Sequence, residues 1–219
     1  MSKKTSFITC AQQGVYIDCI LDPENLRYNI PYAVSFPKGI SPDTVVDAVR
    51  KTLECHPALF SHFEDRAGNA IQVYADEYHA EVKLTMTDDV GIQAAKESFV
   101  QAFDIEHGPL YRAEILVSRM ADGNDSSEVM LLLDFHHLVC DGTSQNIIMN
   151  EICAAIEGTE PSAEPHSYAD FAEAQQTDTT DHGSTKLTNH KIYYDKLFAD
   201  GVTSTQLSSD LNGSGGIHK

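Results

Sequence analysis

One short stretch decides how this chain folds and where its chemistry lies: His136-His137-Leu138-Val139-Cys140-Asp141-Gly142. It follows Leu131-Leu132-Leu133, a continuous apolar run that predicts a strand buried on both faces. Because side chains alternate across a strand, we expect one histidine to face inward and the other outward. Polar residues at a strand end that opens into a loop are well placed for an active site.

The residue types of this stretch suit acid–base chemistry. Imidazole exchanges a proton near neutral pH, which makes histidine the usual general base. Asp141 precedes a predicted helix at 143–156 and so also fits a helix cap, while Gly142 permits a sharp turn or a close approach of a ligand. A buried structural histidine is the alternative interpretation. A metal site using His137 and Asp141 is disfavoured, because zinc takes three or four protein ligands and no second cluster supplies them.

The rest of the chain alternates predicted strands and helices, which indicates an α/β protein built as a two-layer α/β sandwich. Ser41-Pro42-Asp43 is a strong helix start, with serine at the N-cap and proline at the first helical position. The strands are predicted at 28–36, 59–63, 70–75, 82–86, 110–117 and 129–135, and a short strand or extended lead-in is predicted at 7–11. The helices are predicted at 12–21, from 42 to before 57, and at 92–103, 143–156 and 190–199.

Composition suggests where the folded core ends. Residues 1–174 are predicted to form the core, and 175–189, rich in Thr, Asp, Ser and Gln, to form a polar surface loop. Residues 190–207 would form a last helix and its connection, and 208–219 a flexible tail. A second polar loop is predicted at 121–125.

Length and charge exclude several classes of protein. The 219 residues suit one domain or a large subdomain, and the net charge of -18 argues against nucleic acid or an anionic membrane surface as a partner. Five scattered cysteines suggest no disulfide framework and suit a reducing cytosol. Neither a signal peptide nor a membrane-spanning stretch is visible, so we expect a cytoplasmic protein.

The motif His-His-x-x-x-Asp-Gly resembles the signature of the acyltransferase superfamily that includes chloramphenicol acetyltransferase and the condensation domains of nonribosomal peptide synthetases. Four further stretches resemble condensation-domain motifs in the expected order along the chain. They are Thr9-Cys10-Ala11-Gln12-Gln13-Gly14-Val15-Tyr16, Cys55-His56-Pro57-Ala58-Leu59-Phe60-Ser61-His62-Phe63, Phe103-Asp104-Ile105-Glu106-His107-Gly108-Pro109-Leu110-Tyr111-Arg112-Ala113, and Ser167-Tyr168-Ala169-Asp170-Phe171.

This resemblance implies a fold and a reaction. The fold would be the N-terminal subdomain of the chloramphenicol acetyltransferase type, with a mixed sheet packed by helices. Family members have two similar lobes with the active-site tunnel between them, so we expect this chain to be a one-lobed fragment that is inactive alone. The reaction would be attack by the α-amine of an acceptor aminoacyl group on a donor thioester, giving an amide.

The resemblance also assigns roles to the residues of the central motif. His137 would act as the base or hold the amine in position, and His136 would support the motif. Asp141 would hold the motif's shape through a buried ionic or hydrogen-bonded contact, and Gly142 would leave room for substrate. Backbone N–H groups near Thr143 and Ser144 would meet developing negative charge.

The sequence departs from the family pattern at three positions. Phe60 and Cys55 replace the two arginines of the second motif, and Gly14 replaces the arginine of the opening motif. The family often pairs the later of the second motif's arginines with the aspartate that matches Asp141. We therefore expect Asp141 to find another partner, such as Arg112, or to rely on hydrogen bonds, because an unpaired buried carboxylate is costly.

The resemblance further implies no permanently bound cofactor, since phosphopantetheine arrives on carrier proteins. The expected partners are donor and acceptor peptidyl carrier proteins, the second lobe and neighbouring synthetase modules. An epimerisation domain is disfavoured because those domains often carry Trp after the motif, and this chain has none. A coenzyme A-dependent acyltransferase and a non-catalytic lobe that docks carriers are the two alternatives.

Overall fold

The computed structural model describes residues 4–118, 128–180 and 185–202, and the chain divides into two compact units, 1–176 and 177–219. The strands are β1 (Thr5–Phe7), β2 (Asn29–Phe36), β3 (Ser61–Arg66), β4 (Asn69–Tyr74), β5 (Lys83–Thr87), β6 (Tyr111–Ser118) and β7 (Val129–His136). The helices are α1 (Cys10–Leu21), α2 (Pro42–Glu54), α3 (Asp89–Phe99), α4 (Gly142–Ile156), α5 (Tyr168–Thr180) and α6 (Thr185–Leu197), with a short 3-10 turn at Pro57–Phe60.

The first unit contains two sheets. The larger is mixed and has the order β2-β7-β6-β5, in which β7 lies antiparallel to both neighbours and β5 runs parallel to β6. The smaller is antiparallel and has the order β1-β4-β3. Strands β3 and β4 form a tight hairpin, because Ala67 and Gly68 both adopt positive φ and Asp65 accepts a hydrogen bond from the N–H of Gly68.

Helices α2 and α4 pack with the mixed sheet to form the main hydrophobic core. The apolar stripe of α2, with Val45, Val49 and Leu53 fully buried, meets Ile152 of α4 and the side chains of one sheet face. A second cluster joins α1, β3 and the segment before β6. Its buried members are Tyr16, Cys19, Phe63, Phe103, Ile105, Leu110 and Leu138.

The α/β class and the mixed sheet packed by helices are confirmed, and so is β7 as a strand buried on both faces. The predicted helix at 92–103 begins earlier, because Asp88 caps it by accepting a hydrogen bond from the N–H of Gly91. Ser41 is the N-cap of α2, although its side chain makes no capping hydrogen bond. Gly108, before β6, has a φ of +60°, and a Cβ there would lie 2.9 Å from the carbonyl oxygen of Ser61.

The predicted surface loop at 175–189 is wrong for the residues described. Helix α5 continues to Thr180, and α6 begins at Thr185 rather than near residue 190. Polar residues with weak helix preference dominate this stretch. It contains no Gly or Pro before Gly183, so no residue breaks the helix there. The predicted loop at 121–125 and tail at 208–219 lie outside the described residues.

The face of β7 opposite the main core carries a buried charge. Asp134 is fully buried, and its Oδ2 accepts hydrogen bonds from Asn29 at 2.7 Å and from its cross-strand partner Arg112 at 3.0 Å. Arg112 also donates to the carbonyl oxygens of Gln101 and Ala102, and its guanidinium lies 3.7 Å from the centre of the Phe103 ring. Burial raises the pKa of Asp134, so this carboxylate depends on its partners to stay charged.

Substituting Arg112 tests that dependence. We expect Arg112→Met to lower the free energy of unfolding by about 3–5 kcal/mol, because it leaves Asp134 buried without its counter-charge. Arg50→Met is the matched control: Arg50 pairs with Asp47 on an exposed helix surface, and its loss costs about 0–1 kcal/mol. Urea unfolding of both variants measures the difference, and equal losses would contradict this interpretation.

Candidate active site

The central motif forms the turn between β7 and α4. His136 is the last residue of β7, Asp141 is the N-cap of α4, and backbone hydrogen bonds fix the residues between them. The N–H of His136 donates to the carbonyl of Leu110, and that of His137 donates to the carbonyl of Tyr28 at 2.8 Å. The carbonyl of His136 accepts from Val139 and Cys140. The turn is therefore held from both sides before any side chain is considered.

His136 is buried and neutral. Its Nδ1 accepts a hydrogen bond from the N–H of Leu138 at 3.1 Å, so the ring proton must lie on Nε2, which faces Sγ of Cys19 at 3.5 Å. The edge of the Phe103 ring packs against it. Burial, followed by the nearby charges of His137 and Arg112, lowers the pKa of His136 to about 4. These contacts support the structural role predicted for His136.

His137 points the other way. Its side chain is exposed, whereas His136 and Leu138 on either side are buried, which confirms the expected alternation of the two histidines. Within the described residues, the contact that fixes His137 is made by its backbone, through Tyr28, and no hydrogen bond to its ring is found. Its imidazole is therefore available to a ligand.

Asp141 is a helix cap. Its Oδ1 accepts hydrogen bonds from the N–H of Ser144 at 2.7 Å and from the Ser144 hydroxyl at 2.8 Å. These bonds, chiefly the one from the Ser144 N–H, lower the pKa of Asp141. The prediction of a buried contact is wrong, because Asp141 is exposed, and so is the suggested pairing with Arg112, which binds Asp134 instead. The alternative of local hydrogen bonds is confirmed.

Three predicted substrate-side residues follow at the start of α4. The N–H of Ser144 is already donated to Asp141, so it is not free to meet negative charge on a substrate. Thr143 is exposed, and its role stays a prediction. Gly142 is the first residue of α4 and does not have positive φ, and a Cβ there would meet no atom within 4 Å. The backbone conformation at position 142 therefore does not require glycine. The space that a side chain would occupy there is open.

Phe60 does not face the motif in place of an arginine. Its ring stacks on Tyr78 with 4.3 Å between centroids and meets the edge of Tyr111 at 5.2 Å, inside the main core. Packing therefore fills this position, and Asp141 keeps its charge satisfied without it.

A cleft of about 760 Å³ opens beside the motif. His137, Asp141 and Ser144 line one side of it, and residues 162–168 line another. Its apolar surface comes from α1, α4 and the 3-10 turn, through Val15, Ile148 and Leu59 among others. Cys140 also lines the cleft, but burial raises the pKa of its thiol to about 12, so it is protonated at neutral pH.

Gln12, from the stretch that resembles the opening motif, lines this cleft and anchors α1 beside it. The side chain is buried and donates from Nε2 to the carbonyl of Leu138 at 2.8 Å and to Gln72 at 3.1 Å. Its Oε1 accepts from the N–H and the hydroxyl of Thr9, completing a capping box at the start of α1. Gln12 thus fastens α1 to the residue next to His137. The Ala-Gln of the opening motif was the available sequence signal.

His56, Glu151 and Glu164 also line the cleft and were not predicted as site residues.

Among the described residues, no group of three or more His, Cys, Asp or Glu side chains is arranged to hold a metal ion. None of the helices in the described part of the chain has the length and apolar character needed to cross a bilayer.

Comparison with known proteins gives a consistent result. The family model for the condensation domain matches residues 2–215. The chain is 31% identical to bacitracin synthase 3 of Bacillus licheniformis over 169 residues, which are 77% of this chain and 3% of that protein. It is 27% identical to gramicidin S synthase 2 of Aneurinibacillus migulanus over 207 residues, or 93% of this chain and 4% of that protein. The chain thus spans a small part of these relatives.

Two solved structures share the fold. The condensation domain of the monacolin K polyketide synthase MokA aligns with a TM-score of 0.77 at 18% identity, covering 99% of this chain and 48% of that one. The starter condensation domain of the rhizomide synthetase RzmA aligns with a TM-score of 0.70 at 19% identity, covering 90% of this chain and 48% of that one. This chain therefore corresponds to about half of each solved domain.

The buried, neutral His136 predicts a pH dependence of stability. As pH falls from about 6.5 towards 4, His136 binds a proton in the unfolded state but not in the folded state. The free energy of unfolding therefore decreases by at most about 1.4 kcal/mol per pH unit. His136→Asn keeps an acceptor for the Leu138 N–H but cannot titrate. Urea unfolding at several pH values should show that the difference in free energy of unfolding between wild type and this variant decreases as pH falls. A difference that stays constant would mean that His136 titrates normally in the folded state.

The capping role of Asp141 is tested with two substitutions. Asp141→Ala should lower the free energy of unfolding by about 0.5–2 kcal/mol, because it removes the acceptor for the Ser144 N–H, whereas Asp141→Asn should cost little. Thermal or urea unfolding of the pair gives the comparison. If both cost the same, the cap is not what holds Asp141 in place.

Proposed function

Because the chain belongs to the condensation-domain family, we propose that it supplies the histidine-bearing side of an active site that joins two carrier-bound substrates through an amide bond. The observation that carries this proposal is that the two histidines of the motif occupy different environments. His136 is locked in the core, while the ring of His137 is exposed at the side of a cleft that can hold a substrate.

The proposed reaction is acyl transfer from sulfur to nitrogen. The α-amine of the acceptor aminoacyl group attacks the carbonyl carbon of the donor thioester, the new C–N bond forms, and the C–S bond breaks. The amine gives up one proton, and the donor's carrier thiol leaves as the thiol after taking up one. His137 would accept the amine proton or hold the amine in position for attack.

The other motif residues would act through His137. His136 and Leu138 anchor the turn, so the ring of His137 is presented to the cleft with little freedom in its backbone. Asp141 and the Ser144 hydroxyl fix the start of α4, which leaves Thr143 as the proposed substrate contact and Gly142 as open space beside it. Asp141 is thus a positioning residue in this proposal, not one that exchanges protons with substrate.

The partners belong to the same proposal. Donor and acceptor peptidyl carrier proteins would deliver their substrates on phosphopantetheine, and no cofactor would stay bound. This chain covers about half of the solved condensation domains that it resembles, so a second lobe would complete the cleft. Neighbouring synthetase modules would supply the carriers.

The test uses the full-length protein with donor and acceptor carriers loaded with a range of aminoacyl groups. Mass spectrometry of the acceptor carrier reports the dipeptide, and we expect His137→Ala to slow its formation by about a hundredfold or more. His79→Ala is the matched control, since His79 is an exposed histidine outside the cleft and its loss should leave the rate unchanged.

Three outcomes would contradict the proposal. Undiminished product in His137→Ala would remove that residue from the chemistry. No product from wild type with fully loaded carriers would favour a lobe that docks carriers without catalysis, and product from coenzyme A thioesters alone would favour a coenzyme A-dependent acyltransferase.

A further inference from the structure

A second histidine in the cleft wall makes an unusual pair of contacts. His56 lies between α2 and the 3-10 turn, and its side chain is only 11% exposed. Its Nε2 is 2.7 Å from Oε2 of Glu151, on α4, and its Nδ1 is 2.7 Å from Oε1 of Glu164. The ring therefore bridges two carboxylates that lie on different parts of the chain.

With both carboxylates ionised, these two contacts require a charged ring. A carboxylate only accepts hydrogen bonds, and a neutral imidazole has a single N–H to donate. Both ring nitrogens can therefore donate only when His56 is an imidazolium, and both bonds are then charge-assisted, as their short length suggests. Loss of the proton leaves one nitrogen lone pair facing a carboxylate, which is repulsive.

Glu164 belongs to a segment that makes few other hydrogen bonds to the rest of the protein. The connecting segment, residues 157–167, joins α4 to α5 and contributes residues 162–167 to the cleft wall. Within the described part of the chain, residues 160–166 make no backbone–backbone hydrogen bond. Side chains hold the segment instead: Lys51 binds Glu160, His56 binds Glu164, and Lys4 binds Ser167. The contacts of Lys51 and Lys4 are exposed, whereas the contact between His56 and Glu164 is partly buried and lies in the cleft wall.

The charges around His56 favour its protonated form. Burial works against the charge, but the hydrogen bonds to Glu164 and Glu151 outweigh it, and the pKa of His56 lies above its ordinary value. The titratable groups around this site are Glu151 from α4, Glu164 and His166 from the connecting segment, Glu54 and Cys55 from the end of α2, Tyr74 from β4, and Tyr78 from the segment before β5.

We propose that His56 is a proton-operated clamp on the cleft wall. With its proton, it ties the connecting segment to α4. When it loses that proton, it keeps its bond to Glu151, which is fixed in a helix, and releases Glu164, so the connecting segment moves and the cleft changes shape. The clamp exists independently of the amide-forming reaction, and its effect on substrate binding rests on the proposed function.

The clamp is tested by nuclear magnetic resonance on the 219-residue chain, without substrate or turnover. The ring nitrogens of His56 and the backbone amides of the connecting segment are followed as pH rises from below the ordinary histidine pKa of about 6.5. We expect His56 to titrate with a midpoint above that value, and the amides of residues 162–167 to shift with the same midpoint. Amides that stay unmoved through the His56 transition would overturn the proposal.

Three variants separate the clamp from other titrations. His56→Gln should abolish the transition in the connecting segment, whereas His166→Gln, which removes the histidine of the segment itself, should leave it intact. Glu164→Gln should lower the midpoint of His56 and uncouple it from the segment, which keeps the test decisive if His56→Gln does not fold. In the His166→Gln background, a segment transition that persists in both His56→Gln and Glu164→Gln would contradict the clamp.

Stability offers a second readout with a defined sign. Because the folded-state pKa lies above the unfolded value of about 6.5, the clamp stabilises the fold below that pH, and this contribution is lost as pH rises through the folded-state pKa. In urea unfolding, the advantage of wild type over His56→Gln should shrink as pH rises. An advantage that grew with pH would mean that the ring is neutral in the folded protein.

Discussion

The burial of a neutral His136 at the end of β7 is the constraint on which the rest of the site depends. Its Nδ1 must accept the Leu138 N–H, and that bond turns the chain so that Leu138 enters the core and His137 does not. Cys140 then enters the main core, which leaves Asp141 at the surface to begin α4. One buried ring thus sets the position of the exposed ring, of the helix start and of the cleft beside them.

The two sides of the cleft are held by different physical means. At its base, Gln12 uses both amide hydrogens and its oxygen in a buried network of neutral groups, which does not change with pH. At the connecting segment, the contact is an imidazolium between two carboxylates, and a single proton decides whether it is attractive. The same fold therefore combines a fixed side, which carries His137, with a side that can respond to its environment.

The sequence predicted most of the local structure and the position of the motif, because these follow from nearby residues. The apolar run before His136 and the Ser41-Pro42 helix start each carry their signal within a few positions. The partner of Asp141 was harder to predict from the sequence, because cross-strand register pairs Arg112 with Asp134, and no local pattern reveals that register.

The prediction of a loop at 175–189 was wrong because polar composition does not exclude a helix. His56 was visible in a motif, but its role depends on Glu151 and Glu164, about a hundred residues away.

The division between a structural and a reactive histidine is the central claim, and one measurement addresses it directly. Two-dimensional ¹H–¹⁵N spectra of the imidazole rings report the tautomer of each histidine and its response to an added aminoacyl-pantetheine thioester. We predict that His136 carries its proton on Nε2, stays neutral down to a pH of about 4 and shows no change in its ring signals on addition of the thioester, while the ring signals of His137 shift. A His136 ring that responds to the thioester, or that titrates near a pH of about 6.5, would contradict it.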